Sequence, residues 1–292
     1  MKKTFFTLAA VLLLFASCDR VRQYLGNAKD SKDDATETAI GSSEDGQSAG
    51  LQFIHLSYCS ADSTVSISAD VPASTGTALS DSIFKYVGNR FEAFATNYSQ
   101  SHDAQQAFQA TGEHIYNQMQ SEIAETKAEM KADHVEDIDP MLNWNIENNL
   151  AMEHDCEHYV TYTDVGYHYT GGAHGIGWIV GTTFNKETGK RIGTEILKNT
   201  DSQAFRTMFQ AKLLDYFKEG DSENTSNTLS EYLLIDVNDL QISNMRITDK
   251  DFIFQYQPYE ISYYAAGMPA VILTFEQMKP YLTAEGLRLI GE

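Results

Sequence analysis

The sequence predicts an α+β fold, a largely antiparallel sheet with helices packed on it. Three observations carry this. Apolar residues alternate with period two over 51–71 and 144–169. They recur every three or four residues over 79–123 and 205–217. The two patterns come in blocks rather than in strict alternation, which argues against a parallel α/β sheet.

Residues 51–58 and 63–71 read as strands. In the second, Val65, Ile67 and Ala69 alternate with Thr64, Ser66, Ser68 and Asp70. Leu79, Ile83, Val87, Phe91, Phe94 and Tyr98 form one apolar stripe and predict a single helix. A second helix buries Ala104, Phe108, Ile115, Met119 and Ile123, and the acidic turn ending at Pro140 closes the pair. Period two returns from Trp144 to Tyr169, as two long antiparallel strands or one bent strand. A glycine-rich stretch at 170–177 follows, then a strand from Trp178 to Phe184 that turns over 185–190. Thr200 or Asp201 is expected to cap a helix, with Gln203 completing a capping box and Phe205, Met208, Phe209, Leu213, Tyr216 and Phe217 as its core stripe. Strands are expected at 240–247, 251–257 and 270–275, with a short closing helix at 276–282.

The N-terminus has the layout of an export signal. Lys2 and Lys3 precede an apolar run from Phe5 to Phe15, too short to span a bilayer, and Ala16-Ser17 lead into Cys18. This resembles a bacterial lipoprotein signal, with 1–17 removed and Cys18 acylated. An ordinary cleaved signal beside an incidental cysteine is the alternative. From Cys18 to residue 50 the chain is polar and reads as a flexible tether. The expected location is therefore the cell envelope, lipid-anchored, on the periplasmic face or the outer-membrane surface.

The net charge is −20 before the basic signal is lost. Such acidity argues against nucleic-acid partners and favours basic ones, and it also keeps a displayed protein soluble. Besides Cys18 there are only Cys59 and Cys156. An oxidising compartment would permit them to pair, a bridge the sequence leaves open.

His154-Asp155-Cys156-Glu157-His158 matches the H-x-x-E-H pattern of inverted zinc proteases. That chemistry needs a helix, where residues four apart lie about 6 Å apart on one face. The surrounding alternation and the strand-forming run Tyr159-Val160-Thr161-Tyr162-Thr163 instead place the histidines roughly 13 Å apart, at about 3.3 Å per residue. A weaker site from His154 and Cys156 stays open. No metal or cofactor is expected, and no catalytic residue is assigned, since no nucleophile elbow occurs.

The most distinctive segments are Tyr167-His168-Tyr169-Thr170-Gly171-Gly172-Ala173-His174-Gly175, the turn 184–190, and Phe254 to Pro269 with its Tyr-Glu-Ile and Tyr-Ala-Ala-Gly runs. In this order they resemble the extracellular, lysozyme-sensing domain family of RsiV-type anti-sigma factors, over about 165–285. Residues 51–163 resemble the smaller PdaC-type α/β module that precedes it. The resemblance implies two linked modules, divided at 163/164, with 164–292 as the RsiV-like α+β domain. It implies binding rather than catalysis, directed at a basic protein such as lysozyme or at a cell-wall glycan. Neither a signalling membrane helix nor a sigma-binding segment is read here, so what carries over is a binding surface on a tethered protein.

Glycines at 171 and 172 can take positive φ or let chains approach closely, which would present Tyr169 and His174 on a loop. Pro258, Tyr259, Tyr263, Tyr264 and Gly267 form the second half of the expected surface, tyrosines being common interface anchors. Core packing is the alternative for these tyrosines and His174. The competing functions are a structural envelope lipoprotein and a metal-dependent hydrolase at His154/His158 or His168/His174.

Overall fold

The computed structural model describes residues 51–220, 228–242 and 244–292. The signal segment, Cys18 and the tether lie outside the described residues. Strands β1 (Phe53–Cys59), β2 (Val65–Pro72), β3 (Asn145–Asp155), β4 (Tyr159–Tyr169), β5 (Ile176–Asn185) and β6 (Arg191–Ile192) form one sheet in that order. Every pairing is antiparallel except β2 with β3, which run parallel. The crossover between them carries helices α1 (Ala78–Arg90), α2 (Glu92–Ser101) and α3 (Ala104–Ala132). A three-stranded antiparallel sheet, β7 (Met245–Ile247), β8 (Asp251–Gln255) and β9 (Ala270–Thr274), packs with α4 (Gln203–Gly220), α5 (Phe275–Met278) and α6 (Ala284–Leu289). The architecture is α+β.

β4 is the centre. Its side chains alternate between two cores: Val160 and Tyr162 face the helical side with Phe94, Phe108 and Leu150, and Tyr159 faces α4 and the small sheet. Residue 163 lies inside this strand, so one sheet runs continuously across that position. Threonines on the second face stitch the sheets together. Thr161 Oγ1 donates to the Ile247 carbonyl at 2.6 Å, and Thr183 Oγ1 accepts from the Ile247 amide at 3.1 Å. The Tyr159 hydroxyl donates to the Thr248 carbonyl at 2.5 Å. The open edge of β7 is thus satisfied by side chains rather than by another strand.

Several local expectations are corrected. The stripe from Leu79 to Tyr98 is two helices, broken at Phe91 (φ −117°, ψ 86°), because that residue turns inward to pack on Phe108 at 5.2 Å. Ser202, not Thr200 or Asp201, caps α4: its hydroxyl accepts from the Phe205 amide at 3.3 Å, while Gln203 reaches forward to Thr207. A helix at 284–289, capped by Thr283, follows the expected closing turn. Cys59 and Cys156 are free thiols. Through β2, Cys59 stands level with Glu147, whereas Cys156 lies beyond the far end of β3, roughly 30 Å along the strand at about 3.3 Å per residue. No bridge can span that.

Candidate ligand-binding face

The glycine-rich loop joins β4 to β5 at the end of the sheet farthest from the β3–β4 turn. Gly171 (φ 92°) and Gly172 (φ 85°) make its turn, in a region that favours glycine. A side chain at 171 would stand 3.3 Å from the Trp144 indole nitrogen, which itself donates to the Met141 carbonyl at 3.1 Å. The Tyr169 hydroxyl closes the turn by donating to the Gly172 carbonyl at 3.1 Å.

His174 then folds against the 257–267 segment. Its ring stacks on Tyr264 with centroids 3.9 Å apart and planes 22° off parallel. Nδ1 lies 2.9 Å from the Gly175 carbonyl, which also accepts from the Tyr264 hydroxyl at 2.7 Å. A carbonyl only accepts, so these partners assign the proton to Nδ1 and leave Nε2 to accept from the Tyr259 hydroxyl, 3.3 Å away.

Tyr259 sits in a turn where the Glu260 amide donates to the Gln257 carbonyl at 3.1 Å, with Pro258 before it. Its φ is +65°, at a turn position that usually takes glycine. A tyrosine held there carries a conformational cost of order 1 kcal/mol, yet the residue is 53% exposed. The turn is pinned by Gln257, whose amide donates to the Ile179 carbonyl at 2.8 Å and accepts from the Ile179 amide at 3.3 Å, covering the open edge of β5.

Of the residues singled out in the sequence, His174, Tyr259 and Tyr264 meet directly. Tyr169 and Gly172 shape the loop beside them, and Pro258 lines the adjoining groove. Tyr264 is buried and acts as a platform, while Tyr263 is exposed at the start of a 3-10 turn that Gly267 (φ 77°) ends. Sequence reasoning missed Met141 and Ile176, exposed apolar side chains beside the loop, and Leu234, exposed beside the segment packed on it. Nothing in local periodicity separates them from core residues.

A groove of about 600 Å³ opens on the helical face of the same sheet end. One row crosses the strands here, pairing Ile67 with Asn148, Asn148 with Gly166 and Gly166 with Trp178. Because Gly166 has no side chain, the Trp178 indole lies across it. The indole donates to Asp164 Oδ1 at 3.0 Å, carries the Arg90 guanidinium 4.5 Å above its ring and meets His168 edge-on at 4.8 Å. Arg90 pairs with Asp164 at 2.5 Å. His168 and His174 therefore serve different faces of the sheet and form no joint centre.

Burial, with Arg90 as a lesser cause, lowers the His168 pKa from 6.5 to about 4. The unfolded chain takes up a proton as pH falls below 6.5 and the folded chain does not until about 4, so stability falls with pH across that window. The expected loss is about 3 kcal/mol, complete below the lower value. Urea unfolding near neutrality and near pH 4.5 checks this. A His168→Gln protein should lose that part of the slope, and an unchanged slope would place the titration elsewhere.

The backbone at the H-x-x-E-H pattern is extended, as the alternation predicts. His154 stands one residue before the end of β3, opposite Thr161, and His158 lies in the turn before β4, so the pattern occupies a hairpin and not a helix. Among the described residues no three His, Cys, Asp or Glu side chains are grouped to hold a metal. No described helix is long and apolar enough to cross a membrane.

No protein-family model matches the sequence, and no curated protein does. The fold is similar to that of a Bacteroides fragilis protein described as a member of the DUF3298 family, with TM-score 0.60 and 17% identity, covering 82% of this chain and 94% of that one. A DUF3298 family protein of Pseudomonas aeruginosa PAO1 gives TM-score 0.48 and 12% identity, covering 80% and 95%. The first likeness is one of architecture.

Proposed function

We propose that this chain is a lipid-anchored binding protein of the cell envelope, tethered through Cys18, whose partner surface is the face around His174 and Tyr259. The observation that carries the reading is the gathering of exposed apolar side chains there. Met141, Ile176, Leu234, Tyr259 and Tyr263 are each more than 40% exposed and flank the loop or the segment packed on it. Clustered exposed apolar groups with a polar rim mark interaction sites, and rigid tyrosines are frequent energetic anchors. The positive φ of Tyr259 adds weight, since backbone strain of this kind clusters at ligand-binding sites.

The partner we favour is a basic protein of the lysozyme type. Support comes from the charge of −20 and from the RsiV-like motifs, which supply His174, Tyr259 and Tyr263. Capture of a hen-type lysozyme on immobilised protein should be strong at low salt and weaken as salt rises. Tyr259→Gly should relieve the backbone strain, keep the fold and weaken binding at least about tenfold. Absence of lysozyme capture at low salt would remove that partner. Undiminished binding by the glycine variant would move the surface elsewhere. Labelled palmitate incorporation, lost in Cys18→Ala, tests the anchor separately.

A further inference from the structure

Two residues belong at once to the partner face and to the groove on the helical side of the sheet. Ile176, 50% exposed and two positions after His174, lines the groove, and so does Pro258, which precedes Tyr259 in the chain. A partner seated on the face therefore reaches the rim of a cavity of about 600 Å³. Inside, Ile67, Ile115, Ile146 and Val180 present apolar side chains, with the Trp178 indole among them. The charges present are already matched: Arg90 and Asp164 pair at 2.5 Å, and His168 is uncharged near neutral pH. Arg90 stacks on the Trp178 ring at 4.5 Å and stays 32% exposed, so an entering lysine or arginine would meet a like charge. An entering carboxylate would have to shed its water among isoleucines. What fits is an uncharged, apolar group.

We infer that the basic partner proposed above inserts an apolar side chain, aliphatic or aromatic, into this groove as the anchor of the complex. Resting on that reading of the face, the anchor divides the binding energy in two. Attraction between a basic partner and a chain of net charge −20 speeds association and is screened by salt. An apolar side chain buried in a pocket instead slows dissociation, and salt screens it little. Desolvated anchors of this kind carry most of the energy at typical protein interfaces.

Association and dissociation rates of the whole protein on immobilised hen-type lysozyme, at several salt concentrations, test the anchor. Ile146→Phe fills the groove from the sheet, and Ile115→Gln makes its α3 wall polar; neither residue belongs to the partner face. Ile115 is half-buried on a helix, where glutamine is well tolerated, so this variant keeps the test open if the phenylalanine one fails to fold. The first should raise the dissociation rate about tenfold or more and the second several-fold, with association and its salt dependence unchanged. Unchanged dissociation in both, alongside weaker binding by Tyr259→Gly, overturns the anchor and leaves the face in place. So does a loss confined to association. The groove is also read without lysozyme, from the Trp178 indole N–H resonance. N-acetyl-leucine amide should shift it saturably, N-acetyl-lysine amide should not, and Ile146→Phe should abolish the shift. No shift with the leucine amide, or equal shifts with both, overturns the inference. A leucine-amide shift in a protein that captures no lysozyme supports the groove chemistry and counts against the partner alone.

Discussion

Gly166→Ala is expected to destabilise the protein by about 2 to 4 kcal/mol. A Cβ at that position would fall 1.9 Å from the Trp178 ring, well inside contact distance. The indole cannot step aside cheaply, because it donates to Asp164, lies under Arg90 and meets His168. Moving it breaks a buried hydrogen bond and opens the groove. Urea unfolding measures the loss, and a double-mutant cycle identifies its source. With Trp178→Ala already in place the added methyl has room, so the two substitutions together should cost clearly less than their sum. Additive costs would mean that the glycine serves its own backbone instead.

Asp164→Ala should cost about 2 to 3 kcal/mol. The carboxylate is the acceptor for Arg90, Trp178 and Asn148 at once. Breaking a buried ion pair costs about 3–5 kcal/mol, but Arg90 is 32% exposed and its freed guanidinium can turn towards water, which moves the expectation below that range. Burial pushes the Asp164 carboxyl up despite its three partners, so the pair adds little net stability and chiefly orders the groove. Removing both charges, as Asp164→Ala with Arg90→Met, should recover part of the loss. A double variant as unstable as the two single changes summed would refute the pairing argument.

The same burial affects pH dependence in the opposite sense to His168. A carboxyl with a raised pKa takes up its proton in the folded chain before the unfolded chain does, so stability rises as pH falls through that range. The slope due to His168 is therefore read from the difference between wild type and His168→Gln, in which the contribution of Asp164 cancels.

Periodicity located the elements well and their ends poorly. The stripe through Leu79, Phe91 and Tyr98 is real on both sides of the break, because Phe91 keeps its place in the core while its backbone leaves the helix. Alternation could not say that β2 and β3 run parallel, since side-chain period is the same in either direction. The candidate face was half legible. The glycine pair and the tyrosines stand out as unusual residue choices, and their distance in sequence hides nothing about their chemistry. Asn148, His168, Arg90 and Trp178 have no such signature, being ordinary residues made into a groove only by strand register.

By itself the sequence determined the α+β class, the extended rather than helical backbone on either side of Cys156 and the acidity, all of which rest on local pattern or composition. Only the tertiary structure decided that the two cysteines stand apart, that His174 stacks on Tyr264 beneath Tyr259, and that Gly166 admits the Trp178 ring. Those outcomes depend on which strand lies beside which, and pairing is settled by burial summed over the whole sheet rather than by any short run of residues.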